Sequence, residues 1–144
     1  MYDDILLPTD GSAGTAAAAE HAAGIAQAYD ATVHVLAVAD ARNRFESPSG
    51  GVAADAWADS ERERAERAAT ETAAALPDDV RVERVVEAGV PKSVILSYID
   101  DADVDAVVMG THGRTGLDHY LIGSVAEKIV RTSPVPVMTV RLDE

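Results

Sequence analysis

Four short stretches of the chain are apolar nearly throughout: Ile5–Leu7, Thr32–Ala39, Ala106–Met109 and Val137–Val140. Such runs are expected of parallel strands covered on both faces. A fifth stretch, Val80–Glu87, alternates valine with arginine or glutamate. Alternation marks a strand with one wet face, so this one belongs at a sheet edge.

Between these strands the spacing changes to that of helices. Ala13–Tyr29 is alanine-rich and free of proline, and Ser12 stands where an N-cap would. Ala53–Leu76 reads as a long helix, with Arg62–Glu66 and Glu63–Arg67 as i,i+4 pairs on its wet side, and Pro77-Asp78-Asp79 ends it. Gly89-Val90-Pro91 turns the chain, with Pro91 suited to a first helical position; Val94, Ile95, Tyr98 and Ile99 then share one helical face. Ser124–Arg131 reads as a short helix opened by a capping box, Ser124 with Glu127. Asp40–Gly51, with two glycines and a proline, reads as a loop. The order βαβαβαβαβ predicts an α/β fold with a parallel sheet and right-handed crossovers. No internal repeat or composition break interrupts it, so residues 1–144 are expected to form one domain.

Composition narrows the possible functions. With 47% apolar residues the chain can bury a core, yet no apolar stretch approaches the roughly 20 residues of a membrane span. The start is acidic rather than basic, unlike a signal peptide. No cysteine is present, which excludes disulfides, thiolate catalysis and cysteine zinc sites; the four histidines form no HxxxH or HExxH pattern. The net charge is −13, with Lys92 and Lys128 the only lysines. Such a surface repels nucleic acid and anionic membrane, so neither is expected as a partner, and the cytoplasm is the expected location. Few lysines, many aspartates and alanine-rich helices further suggest a halophilic protein, whose self-repulsion a salt-rich cytoplasm screens.

Open parallel sheets bind ligands at the carboxyl ends of strands, where the strand order reverses. Two turns stand at such ends. Pro8-Thr9-Asp10-Gly11 follows the first strand, and Gly110-Thr111-His112-Gly113 follows the fourth and runs on to Gly123-Ser124 at a helix start. Glycine admits close approach of backbone to ligand, and free N–H groups at a helix start suit phosphate. Asp10 suits a sugar hydroxyl, or simply caps the first helix. Ser124 adds a donor, or acts only as a cap. His112 and Arg114 are equally readable as solvated loop residues, and Gly116 as a turn glycine. A P-loop pattern is absent.

The segment Gly110-x-x-Gly113, nine residues, then Gly123-Ser124 matches the G-x2-G-x9-G-(S/T) signature of ATP-binding universal stress proteins. ILLPTDGS, GVPKSVI, DAVVMGTHGRTGL and LIGSVAEKIVRTSPVPVMTV resemble the same family, in the same order, over essentially the whole chain. The resemblance implies a single universal stress protein domain over residues 1–144: an open, twisted, five-stranded parallel sheet in the order 3-2-1-4-5, helices on both faces, Rossmann-like and similar to adenine nucleotide alpha hydrolases. It implies that ATP or a related adenine nucleotide binds, with Mg2+ held mostly by phosphate oxygens and water. Gly110, Gly113, Gly123 and Ser124 would cradle the phosphates, with Arg114 and Val125 beside them. Pro8, Thr9 and Asp10 would approach the adenosine, Asp10 toward the ribose; Val38 would line the adenine, with Met109 at the end of the fourth strand. It also implies a homodimer through antiparallel pairing of the Val137–Val140 edge strand.

The leading expectation is an ATP-binding regulatory module of the stress response. A slow ATP-consuming enzyme and a structural dimer that ignores nucleotide are the alternatives. Efficient phosphoryl transfer needs a positioned base and a cationic clamp, and only Arg114, Lys128 and Arg131 are basic near the glycine loop. No catalytic residue and no protein metal ligand is therefore assigned.

Overall fold

A computed structural model of the chain describes residues 1–40, 52–111 and 124–141, with α2 side chains from residue 59 onward. Its elements alternate as expected: β1 (Asp4–Thr9), α1 (Ala13–Tyr29), β2 (Thr32–Asp40), α2 (Val52–Ala75), β3 (Arg81–Gly89), α3 (Pro91–Asp101), β4 (Ala106–Gly110), α4 (Ser124–Thr132) and β5 (Val137–Val140). The strands form one parallel sheet in the order β3-β2-β1-β4-β5. β3 lies at one edge, as expected, and β5 at the other; no residue of β3 is buried, and its valines divide between the faces, Val82 and Val86 toward the α1–α2 layer and Val85 toward the α3–α4 layer.

Side-chain alternation along the strands divides the core in two. Ile5, Leu7, Val33, Val35, Val108 and Val140 face the alanine stripes of α1 and α2. Leu6, Leu36, Val107 and Met109 face α3 and α4, where Ile95, Ile99, Ala126 and Ile129 complete the layer. Alanine in α1 and α2 brings those helices close to the sheet, which explains why such weakly amphipathic sequences still pack.

The buried run Val33–Ala37 of β2 contains one polar residue. His34 sits between Leu6 and Glu83 in the ladder, its Nε2 2.8 Å from Asp4 Oδ1 and its Nδ1 2.7 Å from Tyr98 Oη. Glu83 Oε2 lies 3.4 Å from the same Nδ1. The Tyr98 phenol has its pKa raised, first by burial and then by the charges of Glu83, Glu87 and Asp4. It stays protonated and able to donate to the imidazole. The network ties β1, β2, β3 and α3 together in a layer that is otherwise apolar.

Three local expectations need correction. Ser12 occupies the N-cap position of α1, but its hydroxyl makes no capping bond. Asp10 Oδ1 takes the Ser12 N–H instead, at 2.9 Å. Arg62 lies 3.7 Å from Glu66, whereas no ion pair joins Glu63 and Arg67 among the described residues. An exposed pair gains little against side-chain entropy, so spacing alone does not form it. Glu127 does not turn back on Ser124 as a capping box would; its carboxylate pairs with Arg131, 3.0 Å away and one turn on.

Candidate functional site

The strand order reverses between β1 and β4, whose helices leave on opposite faces. The β1–β4 ladder pairs Ile5 with Ala106 and Leu6 with Val107, and goes no further. Pro8 has no N–H to extend it. The carboxyl ends of the two strands are thus free of mutual bonding at the point where such sheets receive ligands.

Four of the expected contacts converge on one face there. Pro8 follows Leu6 by two residues and so shares its side of the sheet. Val38 and Val125 pack against the α3–α4 layer, and Met109 is buried within it. The result is an apolar wall built from the ends of β1, β2 and β4 and the first turn of α4. A shallow pocket of about 340 Å3 lies between β3 and α3, lined by Glu87, Gly89, Val90, Val94, Tyr98 and Asp101 among others.

Asp10 stands just past β1. Its Oδ1 accepts the Ser12 N–H and the Thr15 hydroxyl, the latter at 3.1 Å. Both bonds fall on one oxygen, and no donor among the described residues reaches Oδ2. One carboxylate therefore serves the start of α1 and presents a second oxygen at the sheet edge. Thr9 is more committed. Its hydroxyl shares a buried 2.7 Å bond with Thr72 of α2 and accepts the Gly11 N–H at 3.1 Å. Only its backbone stands at the edge.

Gly110 has a reason for lacking a side chain that needs no ligand. A Cβ there would stand 2.6 Å from the carbonyl oxygen of Gly14 and 2.7 Å from its carbonyl carbon. These are backbone atoms of α1 and cannot swing aside. Gly14 itself escaped the sequence reading, and no signal in the chain marks it: Gly24 of the same helix has nothing within 4 Å of an added Cβ. Ser124 is exposed at the start of α4. Gly113, Arg114 and Gly123, with His112 and Gly116, lie outside the described residues, as does the stretch 41–51.

The profile of the universal stress protein family matches residues 1–141. The chain belongs to the universal stress protein family. Universal stress protein MJ0531 of Methanocaldococcus jannaschii is 33% identical over an aligned length of 146 positions, gaps included, that covers 98% of this chain and 83% of the relative. Among solved structures, protein MJ0577 superposes with a TM-score of 0.82 at 28% identity, covering 100% of this chain and 99% of the other. Universal stress protein UspA from Lactobacillus plantarum gives a TM-score of 0.83 at 26% identity, over 97% and 98% of the two chains. A further universal stress protein, solved in complex with cAMP, shares the fold at 23% identity and a TM-score of 0.62. Among the described residues no helix is long and apolar enough to cross a membrane, and no group of three acidic, histidine or cysteine side chains is arranged to hold a metal ion.

Proposed function

We propose that this chain is an ATP-binding regulatory module of the stress response, taking an adenine nucleotide with Mg2+ at the carboxyl edge of β1 and β4. The observation that carries the reading is the convergence of Pro8, Val38, Met109 and Val125 into one apolar wall beside the opened β1–β4 seam. A flat apolar base fits such a wall, and Asp10 Oδ2 is the acceptor for a ribose hydroxyl. The glycine signature leads from the end of β4 to the start of α4, whose N–H groups and Ser124 hydroxyl suit the phosphates. Phosphate oxygens and water would hold the cation, which offsets the repulsion between a tetra-anion and a chain of net charge −13. Binding rather than turnover is our reading: Arg131 pairs with Glu127 and Lys128 lies a turn inside α4, while Arg114, the third basic residue near the signature, lies outside the described residues.

Calorimetry with ATP and Mg2+, together with mass spectrometry of any nucleotide released from denatured protein, tests the proposal. Saturable binding is expected. Absence of both retained nucleotide and binding heat at millimolar ATP removes it. Asp10→Ala should weaken ATP roughly 10- to 150-fold, the loss of one charge-assisted bond of about 1.5–3 kcal/mol. Asp10→Asn keeps an acceptor for the Ser12 N–H and separates the ribose contact from helix capping.

The reading extends to assembly and surroundings. Among the described residues β5 is an edge strand with no neighbour on its outer side, and Met138 on it is 43% exposed. Pairing with the same strand of a second copy would close both edges about a two-fold axis. The net charge fits a cytoplasm rich in salt. Sedimentation and thermal unfolding across a KCl series check both points. A dimer at micromolar concentration and a melting temperature that rises with KCl are expected; a monomer refutes the pairing, and a salt-independent midpoint refutes the halophilic reading.

A further inference from the structure

α2 meets the carboxyl edge of the sheet at three levels. Glu61 reaches Asp40 at the end of β2, Ala68 lies against Gly11, and Thr72 bonds to Thr9 at the end of β1. Separations of seven and four residues place all three on one stripe of the helix. Ala68 and Thr72 are ordinary choices for a tight contact. Glu61 is not. It is a carboxylate only 5% exposed, and burying such a charge is strongly unfavourable unless it is paired and hydrogen-bonded.

Both conditions are met. Arg64 approaches Glu61 with two nitrogens, its Nε at 3.2 Å from Oε2 and its Nη2 on Oε1. The backbone N–H of Asp40 donates to Oε1 at 3.1 Å. The topology explains why that N–H turns to a side chain. The β1–β2 ladder ends at Thr9 with Ala37, so Asp40 lies three residues beyond the last position paired with β1. No β1 carbonyl is available at that level, and Glu61 supplies the acceptor. Asp40 in turn follows by two residues Val38, which belongs to the apolar wall.

We propose that Glu61, held in place by Arg64, is a positioning residue for the nucleotide site. It extends the hydrogen bonding of β2 past the end of β1 and so fixes Val38 where the base packs. This rests on the nucleotide reading above. Its consequence is selective: loss of the Glu61 contact loosens the wall that meets the base and leaves the phosphate end, on the far side of the seam, as it was. A brace that merely held the fold together would lower stability without choosing between base and phosphate.

The test is calorimetry with ATP and Mg2+, with inorganic tripolyphosphate read by competition, on wild type and three variants. Glu61→Ala removes the contact. Glu61→Asp keeps a charge beside Arg64 but withdraws its reach from Asp40, and Glu61→Gln keeps the reach without the charge. In Glu61→Ala and Glu61→Asp, ATP should weaken roughly 3- to 30-fold, the range of indirect coupling through packed elements, while tripolyphosphate holds its affinity. Glu61→Gln should fall closest to wild type. If Glu61→Ala does not fold, the contrast between Asp and Gln decides. Parallel loss of ATP and tripolyphosphate overturns the inference, as does a Gln variant as weak as the Asp variant. Wild-type ATP affinity in every folded variant overturns it alone, whereas a wild-type protein that binds tripolyphosphate but not ATP removes the nucleotide reading and this inference with it.

Discussion

Gly123→Val is expected to abolish ATP binding while the protein stays folded. The residue immediately precedes α4, and the phosphates are proposed to sit on the free N–H groups of that helix start. Contact of this kind requires backbone within hydrogen-bond distance of an anion. A branched side chain at the same point occupies the ligand's space and leaves no inexpensive rearrangement. Loss of the phosphate end removes the strongest, charge-assisted part of the interaction, so the effect should exceed that of Asp10→Ala. Calorimetry beside a thermal melt checks the expectation. Unchanged affinity in a folded Gly123→Val protein would place the phosphates elsewhere and reduce the glycine loop to a turn.

Gly110→Ala should behave in the opposite way, striking stability before binding. Its Cβ would lie 2.6 Å from the Gly14 carbonyl oxygen, closer than real Cβ atoms approach, so α1 must move off β4. Overpacking against backbone costs typically 1–3 kcal/mol and occasionally more. At the upper end that corresponds to a melting temperature lower by roughly 6–12 °C for a chain of this size. Gly24→Ala is the internal control. It lies in the same helix with nothing within 4 Å of an added Cβ. The change should stabilise by about 0.5–1 kcal/mol, because alanine restricts the unfolded chain and favours helix. If Gly110→Ala melts like wild type but no longer binds ATP, the glycine is there for the ligand and not for α1. A loss of stability with binding retained instead separates the two glycines of one motif into a packing role for Gly110 and a ligand role for Gly123.

Much of this architecture was legible beforehand because it rests on local physics. Apolar runs of β1, β2, β4 and β5, the alternation of β3, the proline at the start of α3 and the alanine-rich α1 each announce an element through periodicity and backbone preference. Their alternation leaves little choice but a parallel sheet. The order β3-β2-β1-β4-β5 and the family came from a resemblance spread across the whole chain, and both are upheld by the structure and its relatives. Pro8, Val38 and Met109 were named on the same ground, and strand alternation then puts them on one face.

Sequence reading failed where the outcome depends on which side chain another element brings near. The capping box at Ser124 and the Glu63–Arg67 pair have the right spacing, but spacing permits a contact without selecting it among near-equal alternatives. Glu127 found Arg131, and Arg64 found Glu61. Glu61 is indistinguishable from its acidic neighbours in α2 until β2 is seen to outrun β1. Thr72 is one more polar residue of a polar helix until it meets Thr9. His34 looks like a stray polar residue in a strand until Asp4 and Tyr98 close on it from β1 and α3. The elements, their order and the glycine signature follow from the chain alone, because periodicity, turn chemistry and charge are properties of neighbours in the chain. That Gly110 makes room for α1, that Thr9 bonds to α2 and that Glu61 takes the Asp40 N–H of β2 emerges only in the folded molecule, because each depends on residues brought together by packing and not by sequence.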